Sequence, residues 1–225
     1  MRRSLRYSLN AVLVAASLVA GTAFASPTNP QNGVEYVTLS TPQPVQAVGK
    51  KVEVVEFFAY HCPACYALEA PLNDWAKKNA DKVTLRRIHL PFQGAADPEA
   101  HLFLTLEAMG KEAEMHPKIL NAVHVQRVRL MKDEQIIDWV AKNGIDKAKF
   151  METWNSFGVM TKLRRQMAVM TSYQVSGTPT LIVDGKYQTS PGQVAEKLKI
   201  QDRNAMLQAH FQVLDALVAK AAATK

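Results

Sequence analysis

Both cysteines of the 225-residue chain, Cys62 and Cys65, lie in the segment FFAYHCPACY, separated by two residues. A disulfide between residues i and i+3 closes a loop too small to constrain much of the unfolded chain. A zinc site needs about four ligands, and the six histidines show no partner pair at ligand spacing. Redox exchange needs only the two sulfurs, and a CxxC motif beside a strand–helix pattern is its signature. The spacing therefore favours a redox dithiol over a structural staple or a metal site.

The dithiol lies where a predicted strand turns into a predicted helix. The preceding KVEVVEFFAY is apolar and β-branched, which indicates a buried strand, and the following YALEAPLNDWAKKNA carries apolar residues at helical spacing. Pro63 would take the first helical position, where its missing N–H costs nothing. A thiolate at Cys62 would face free backbone N–H groups and the positive end of the helix dipole, which depress a cysteine pKa. We expect Cys62 to be the exposed nucleophile and Cys65 the sheltered resolving thiol.

A second informative segment is SGTPTLIVDGKYQTSPG at residues 176–192. It predicts a strand, a tight turn at Asp184-Gly185 and another strand. Pro179 opens the first of these strands, a position that suits proline. Taken alone, the Thr178–Pro179 bond is expected to be trans, because only about 5–6% of X–Pro bonds in folded proteins are cis.

The first 25 residues have the three parts of a secretory signal peptide. The start carries three arginines, the apolar run from Ala11 to Ala20 is too short to span a bilayer, and Ala23-Phe24-Ala25 is a small-x-small cleavage site. We expect cleavage after Ala25 and export to a compartment where disulfides persist. No later stretch is long and apolar enough to predict a membrane-spanning helix.

The composition is typical of a soluble chain with its own apolar core. Hydrophobic residues make up 48% of the sequence, and a mature chain of about 200 residues allows one large domain or one domain with an insertion. Without the three N-terminal arginines, 24 basic side chains stand against 20 acidic ones. These charges are interspersed and form no basic stripe with interleaved aromatic residues, which argues against nucleic-acid binding.

The segments VVEFFAYHCPACY and SGTPTLIVDGKY, together with the signal peptide, resemble the DsbA family of thiol oxidases of the bacterial periplasm. WNSF at 154–157 fits the helical insert of that family, and the resemblance covers about residues 35–222. It implies an α/β, thioredoxin-like fold with an inserted helical domain. The thioredoxin-like domain would be discontinuous, formed by residues 26–93 and 174–225, with the helical domain at residues 94–173.

This layout assigns the remaining elements. The first three strands would be residues 34–40, 52–60 and 83–90. Amphipathic patterns separated by glycines predict helices over residues 98–109, 117–125, 133–142, 146–157 and 159–173. A closing helix would follow the last two strands.

The resemblance also implies roles for residues outside the dithiol. In this family, the proline that matches Pro179 is cis and packs beside the disulfide, and the residue that matches Thr178 offers backbone groups to an extended client peptide. Acidic residues matching Glu56 and Glu69 lie under the dithiol with a basic partner, here Arg87, and tune the thiols. Without the resemblance, Glu69 reads equally well as a solvated helix residue, and Glu56 as one half of a buried ion pair.

Two positions depart from the family pattern. Most members have histidine between the proline and the second cysteine, where this chain has Ala64, and the best-known oxidases have valine where it has Thr178. The histidine supplies a cation and a hydrogen-bond donor to the thiolate. Family members are standard examples of a strongly lowered cysteine pKa and of a strong oxidant, and Ala64 puts that strength in question here. His61 either replaces part of the missing charge or is an exposed histidine at the rim.

The sequence thus predicts a monomeric periplasmic thiol:disulfide oxidoreductase that introduces disulfides into exported proteins without an organic cofactor. Unfolded exported proteins would be its clients. The resemblance implies a quinone-linked membrane oxidase of the DsbB type as the partner that re-oxidises it. A disulfide isomerase or reductase of the same fold, a peptide-binding chaperone with incidental thiols, and a metal-carrying protein remain alternatives.

Overall fold

The computed structural model describes residues 26–225, so the signal-peptide prediction for residues 1–25 lies outside the described residues. Within this range the strands are β1 (Val37–Thr38), β2 (Val52–Phe58), β3 (Val83–His89), β4 (Thr180–Val183) and β5 (Tyr187–Thr189). The α-helices are α1 (Pro63–Lys78), α2 (Pro98–Ala108), α3 (Glu112–His124), α4 (Asp133–Lys142), α5 (Lys147–Trp154), α6 (Phe157–Ser172), α7 (Pro191–Leu198) and α8 (Arg203–Ala222). None of these helices is both long enough and apolar enough to cross a membrane.

The strands form one mixed sheet with the order β1-β5-β4-β2-β3. Strands β2 and β3 pair in parallel, whereas β2–β4, β4–β5 and β1–β5 pair antiparallel. On one face of β2, Val52 and Val54 join a core cluster with α1 and α8. On the other face, Val55 and Phe57 pack with Tyr173 and Ile182. Burial on both faces explains why β2 is an almost continuous apolar run in the sequence.

Two glutamates interrupt that run, and the neighbouring strand neutralises both. Glu56 lies directly opposite Arg87 in the parallel β2–β3 register, at 3.1 Å between Oε2 and Nε. Glu53 pairs with Arg86 at 3.1 Å. A carboxylate in an apolar strand needs such a partner, since an unpaired buried charge is costly. The pairing also places Arg87 beneath the start of α1.

The junction between β2 and α1 follows the predicted pattern. Strand β2 ends at Phe58, a short turn brings the Cys62 N–H to the Ala59 carbonyl at 3.1 Å, and Pro63 is the first residue of α1. Strand β4 begins directly after Pro179. Phe58 and both cysteines belong to the same core cluster as the buried residues of α2 to α6. The helices between β3 and β4 therefore share a core with the dithiol.

Three predicted helix boundaries are wrong. The helix predicted over residues 146–157 ends at Trp154, and Phe157 already belongs to the next helix. Helix α3 begins at Glu112, not Pro117, because acidic residues favour a helix start and Pro117 is accommodated inside the helix. Helix α6 begins at Phe157 and includes Gly158, because Ser156 accepts a hydrogen bond from the Val159 N–H and caps the helix before the glycine. The domain boundaries at residues 93/94 and 173/174 stay predictions.

Candidate active site

Cys62 caps the N-terminus of α1. Its Sγ accepts a hydrogen bond from the Cys65 N–H at 3.2 Å and lies 3.6 Å from the Thr178 carbonyl oxygen. Both cysteines are free thiols in this structure. Cys62 keeps 8% of its surface exposed and Cys65 keeps 2%, so both thiols are buried and the prediction that Cys62 is exposed is wrong. The more accessible thiol is still the one at the open end of the helix.

The surroundings of the two sulfurs separate their acidities. The hydrogen bond from the Cys65 side chain is the largest influence on Cys62, and burial opposes it. Together with the Thr178 side chain and the Cys65 and Ala64 N–H groups, that hydrogen bond lowers the pKa of Cys62 to about 5. The same Cys62–Cys65 hydrogen bond, together with burial, raises the pKa of Cys65 far above its ordinary value. At neutral pH the reduced site therefore holds a thiolate at Cys62 and a protonated thiol at Cys65.

The Thr178–Pro179 peptide bond is cis. This is the geometry that the family resemblance implies, and the expectation of a trans bond from the dipeptide alone is wrong. The cis bond lies next to Cys62, since the Thr178 carbonyl contacts the Cys62 sulfur. In the same segment, the Thr180 hydroxyl donates to the Gly177 carbonyl at 2.8 Å. The contact between Thr178 and Cys62 joins residues 116 positions apart, so only the fold brings them together.

Glu56, Glu69 and Arg87 form the cluster under the dithiol. The Arg87 guanidinium donates to Glu56 at 3.1 Å and to Glu69 at 3.2 Å, and also to the Asn73 side-chain oxygen at 2.7 Å. Burial raises the pKa of Glu56 to about 7, with Arg87 opposing. Burial also acts to raise the pKa of Glu69, but hydrogen bonding to His116 and the charge of Arg87 outweigh it and hold that pKa at about 2. Reading Glu69 as a solvated helix residue is therefore wrong.

The sequence did not identify two further members of the site. His116 of α3 is buried, with Nε2 at 3.2 Å from Glu69 Oε2 and Nδ1 at 3.4 Å from Glu112 Oε1. Glu99 of α2 is also buried, and its Oε2 lies 2.6 Å from His61 Nδ1. Both come from helices that follow β3, and nothing in the local sequence marks them as neighbours of the dithiol.

Ala64 and His61 lie on opposite sides of Cys62 along the chain. Ala64 is exposed and contributes only its backbone N–H to the Cys62 thiolate. The His61 ring packs its edge against Phe92, with ring centroids 5.0 Å apart, and is partly covered. Within residues 26–225, no group of three or more His, Cys, Asp or Glu side chains is arranged to hold a metal ion.

Three kinds of similarity connect this arrangement to known proteins. The family model of the DSBA-like thioredoxin domain matches residues 98–200. A relative from Burkholderia cepacia, named thiol:disulfide interchange protein DsbA, is 37% identical over 183 residues, covering 81% of this chain and 86% of its own. A relative of the same name from Pseudomonas aeruginosa is 40% identical over 173 residues, covering 76% and 82%. The crystal structure of Pseudomonas aeruginosa DsbA matches with a TM-score of 0.73 and 36% identity, over 86% of this chain and 96% of that one.

Proposed function

The chain belongs to the DsbA family of thiol:disulfide interchange proteins, and from that premise we propose that it introduces disulfide bonds into exported proteins through Cys62 and Cys65. It is a disulfide oxidoreductase with the predicted thioredoxin-like fold. The observation that carries the proposal is the unequal acidity of the two thiols: Cys62 is held as a thiolate, with a pKa of about 5, beside a protonated Cys65. A stabilised thiolate favours the reduced enzyme, so its disulfide is readily passed on.

The exchange proceeds in two steps. A client thiolate attacks the Sγ of Cys62 in the enzyme disulfide, the S–S bond breaks, and Cys65 leaves and takes up a proton. A second client thiolate then attacks the client sulfur of the mixed disulfide, and Cys62 leaves as a thiolate. The client loses two electrons to the enzyme dithiol. Because a thiol of low pKa is a good leaving group, the second step is fast at Cys62.

The segment at Thr178 and Pro179 is the proposed client-binding site. The Thr178 carbonyl lies 3.6 Å from Cys62 Sγ, so an extended client that pairs with this backbone would bring its own cysteine to the reacting sulfur. Main-chain pairing of this kind tolerates many client sequences. That tolerance suits an enzyme that acts on many unfolded proteins.

The buried carboxylates are proposed to tune the dithiol from below. Glu56 has a pKa of about 7 because of burial, and its charge raises the pKa of Cys65. A group that titrates near neutral pH can accept or release a proton as Cys65 changes state. Arg87 contacts both Glu56 and Glu69, and these two contacts would hold Glu56 in place.

The cellular setting completes the proposal. Residues 1–25 would direct export, and the mature protein would act in the periplasm as a monomer. A quinone-linked membrane oxidase of the DsbB type would re-oxidise Cys62 and Cys65. No organic cofactor is required, since the electrons stay on sulfur.

Oxidation of a reduced, unfolded client protein by the purified oxidised chain tests this function. We expect catalysed recovery of client disulfides, with Cys62→Ser inactive and a Cys62→Ala/Cys65→Ala variant equally inactive. Suppression of client aggregation that survives in the double variant would instead identify a chaperone, and bound metal found by elemental analysis would identify a metal carrier. An equilibrium with glutathione near the reducing end would identify a reductase and overturn the oxidase proposal.

A further inference from the structure

The residue before the nucleophile is held by a buried carboxylate from another part of the fold. Glu99 is 2% exposed, and its Oε2 receives both the His61 backbone N–H at 3.3 Å and the His61 ring nitrogen Nδ1 at 2.6 Å. The second distance is at the short end for hydrogen bonds between charged groups. A carboxylate this deeply buried is tolerated when a cation balances it. One of the groups next to Glu99 is therefore expected to carry a positive charge.

Two histidines approach the same oxygen of Glu99, and their hydrogen bonds distinguish them. His89 Nε2 lies 3.5 Å from Glu99 Oε2, but it also lies 3.1 Å from the backbone nitrogen of Tyr60. A backbone N–H can only donate, so His89 Nε2 must be the unprotonated, accepting nitrogen of a neutral ring. It therefore cannot donate to Glu99. Of the two histidines, only His61 can donate a ring proton to Glu99.

The other charged groups around His61 act in both directions, and those that favour the protonated ring are the better placed. Asp97, the residue that caps α2, and the Cys62 thiolate both stabilise a proton on His61. Arg127 and Arg129 line the same cavity, and like charges act against that proton. Both arginines are exposed to solvent, where screening weakens their effect. The hydrogen bond to Glu99 is the largest influence and raises the pKa of His61, while burial acts against it.

We propose that Glu99 is a positioning residue for disulfide exchange: from the first turn of α2 it holds His61 as an imidazolium beside Cys62, and that charge stabilises the Cys62 thiolate. The proposal rests on the proposed role of Cys62 as the nucleophile. It also accounts for Ala64, because the positive charge that the motif lacks between its cysteines is supplied from the residue before them. Helix α2 would then help to set the redox equilibrium of a dithiol on α1.

The direct test compares Glu99→Gln with Glu107→Gln. Both remove one carboxylate from α2, but Glu107 pairs with Lys162 on the surface. Glutamine at position 99 can still accept from Nδ1, so the hydrogen bond survives and only the charge is lost. We expect Glu99→Gln to raise the pKa of Cys62 by about 0.5 to 1, which moves the glutathione equilibrium about three- to tenfold toward the disulfide. Glu107→Gln should match the wild type.

A double-mutant cycle shows whether Glu99 acts through His61. In a His61→Gln background, adding Glu99→Gln should not raise the pKa of Cys62 any further, because the cation is already absent. His61→Gln alone should unfold at a lower temperature than the double variant, since it leaves Glu99 buried without its counter-charge. A purely structural role for Glu99 would alter unfolding but not the thiolate titration.

Two results would overturn the proposal. One is a Cys62 titration and glutathione equilibrium in Glu99→Gln that match those of the wild type. The other is an NMR titration of wild-type His61 with an ordinary midpoint near ~6.5; this measurement needs no variant. Failure of the wild type to oxidise a client would count against the proposed function instead, and the His61 titrations with and without Glu99 would still test the pair.

Discussion

At the residue scale, reactivity depends on which sulfur carries the negative charge. Cys62 has a pKa of about 5 and Cys65 a strongly raised one, because the hydrogen bond between them stabilises the thiolate on Cys62. Only the thiolate reacts with an alkylating agent. With limiting iodoacetamide at about pH 6, the reduced protein should therefore be labelled first at Cys62. Peptide mapping checks this, and label appearing first on Cys65 would contradict the assignment.

Position 64 gives a second prediction at this scale. Ala64→His should make the protein a stronger oxidant, because the new ring adds a donor and, when protonated, a positive charge beside the Cys62 thiolate. Lowering the thiol pKa stabilises the reduced protein only at pH values above the lowered pKa. Within that range, a thiol pKa that is lower by one changes the redox equilibrium about tenfold, or by about 30 mV for a two-electron couple.

Thiolate absorbance against pH, measured for the wild type and Ala64→His, decides that prediction. Overlapping curves would mean that the side chain at position 64 does not set the redox equilibrium. The His61–Glu99 pair makes a further distinction possible. If His61 already supplies a positive charge, the effect of Ala64→His should be larger in the Glu99→Gln background than in the wild type.

At the element scale, Arg87 joins β3 to β2 and to α1. Arg87→Met would remove the counter-charge of two carboxylates, Glu56 and Glu69, while keeping the length of the side chain. Breaking a buried ion pair by removing one partner typically costs about 3–5 kcal/mol, so we expect a large drop in the free energy of unfolding in urea. The loss should shrink as the pH falls below about 7, because Glu56 then becomes neutral.

An exposed ion pair provides the control for Arg87→Met. Lys162 of α6 contacts Glu107 of α2 at 2.9 Å, and both side chains are largely exposed. Such pairs contribute little because water and salt screen them. Lys162→Met should therefore leave the urea midpoint close to that of the wild type, and equal losses in the two variants would contradict a special role for the buried cluster.

Local sequence patterns are enough to predict the strand and the helix that carry the thiols. The extent of β1 depends instead on packing, which local patterns do not specify. The β2–α1 junction was predictable because a two-faced apolar strand, a proline at the first helical position and helical spacing all agree there. The predicted strand at residues 34–40 is wrong in extent, since only Val37–Thr38 pair with β5. Its remaining residues bond outside a strand ladder: the Leu39 N–H donates to the Lys186 carbonyl, and the Glu35 carbonyl accepts from the Thr189 hydroxyl.

The site shows the same division. The cysteines and Pro179 were recognised from motifs, but Glu99 and His116 were not. Glu99 follows Asp97-Pro98 in the first turn of α2, where a glutamate is ordinarily explained by the helix dipole. Its partner His61 lies 38 residues earlier in the chain, and His116 lies 47 residues from Glu69. Contacts at that separation depend on how the helices dock, which no local pattern specifies.

At the scale of the whole molecule, the redox state of one pair of sulfurs is coupled to the stability of the fold. Among the residues that the structure describes, the buried groups with shifted pKa values include Cys62 with a pKa of about 5, Glu56 with a pKa raised by burial to about 7, and His210 with a pKa lowered by burial to about 3. Glu56 stabilises the fold only at acid pH and loses that contribution as the pH rises through 7. His210 acts in the other direction, because its buried ring must be neutral.

Cys62 and Cys65 both titrate only in the reduced protein, but below about pH 8 Cys65 is mostly protonated in the folded and the unfolded chain alike. Below that pH, the comparison with the oxidised protein therefore follows Cys62. Its pKa is about 5 when folded and about 8.5 when unfolded. Between these values the unfolded chain binds more protons, so the stability that Cys62 contributes is complete above about pH 8.5 and is lost as the pH falls through about 5. The unfolding temperature of the reduced protein, minus that of the oxidised protein, should therefore increase steadily from about pH 5 to about pH 8. Calorimetry of both forms across this range measures the difference. A difference that does not vary with pH would show that Cys62 is not a stabilised thiolate in the folded protein.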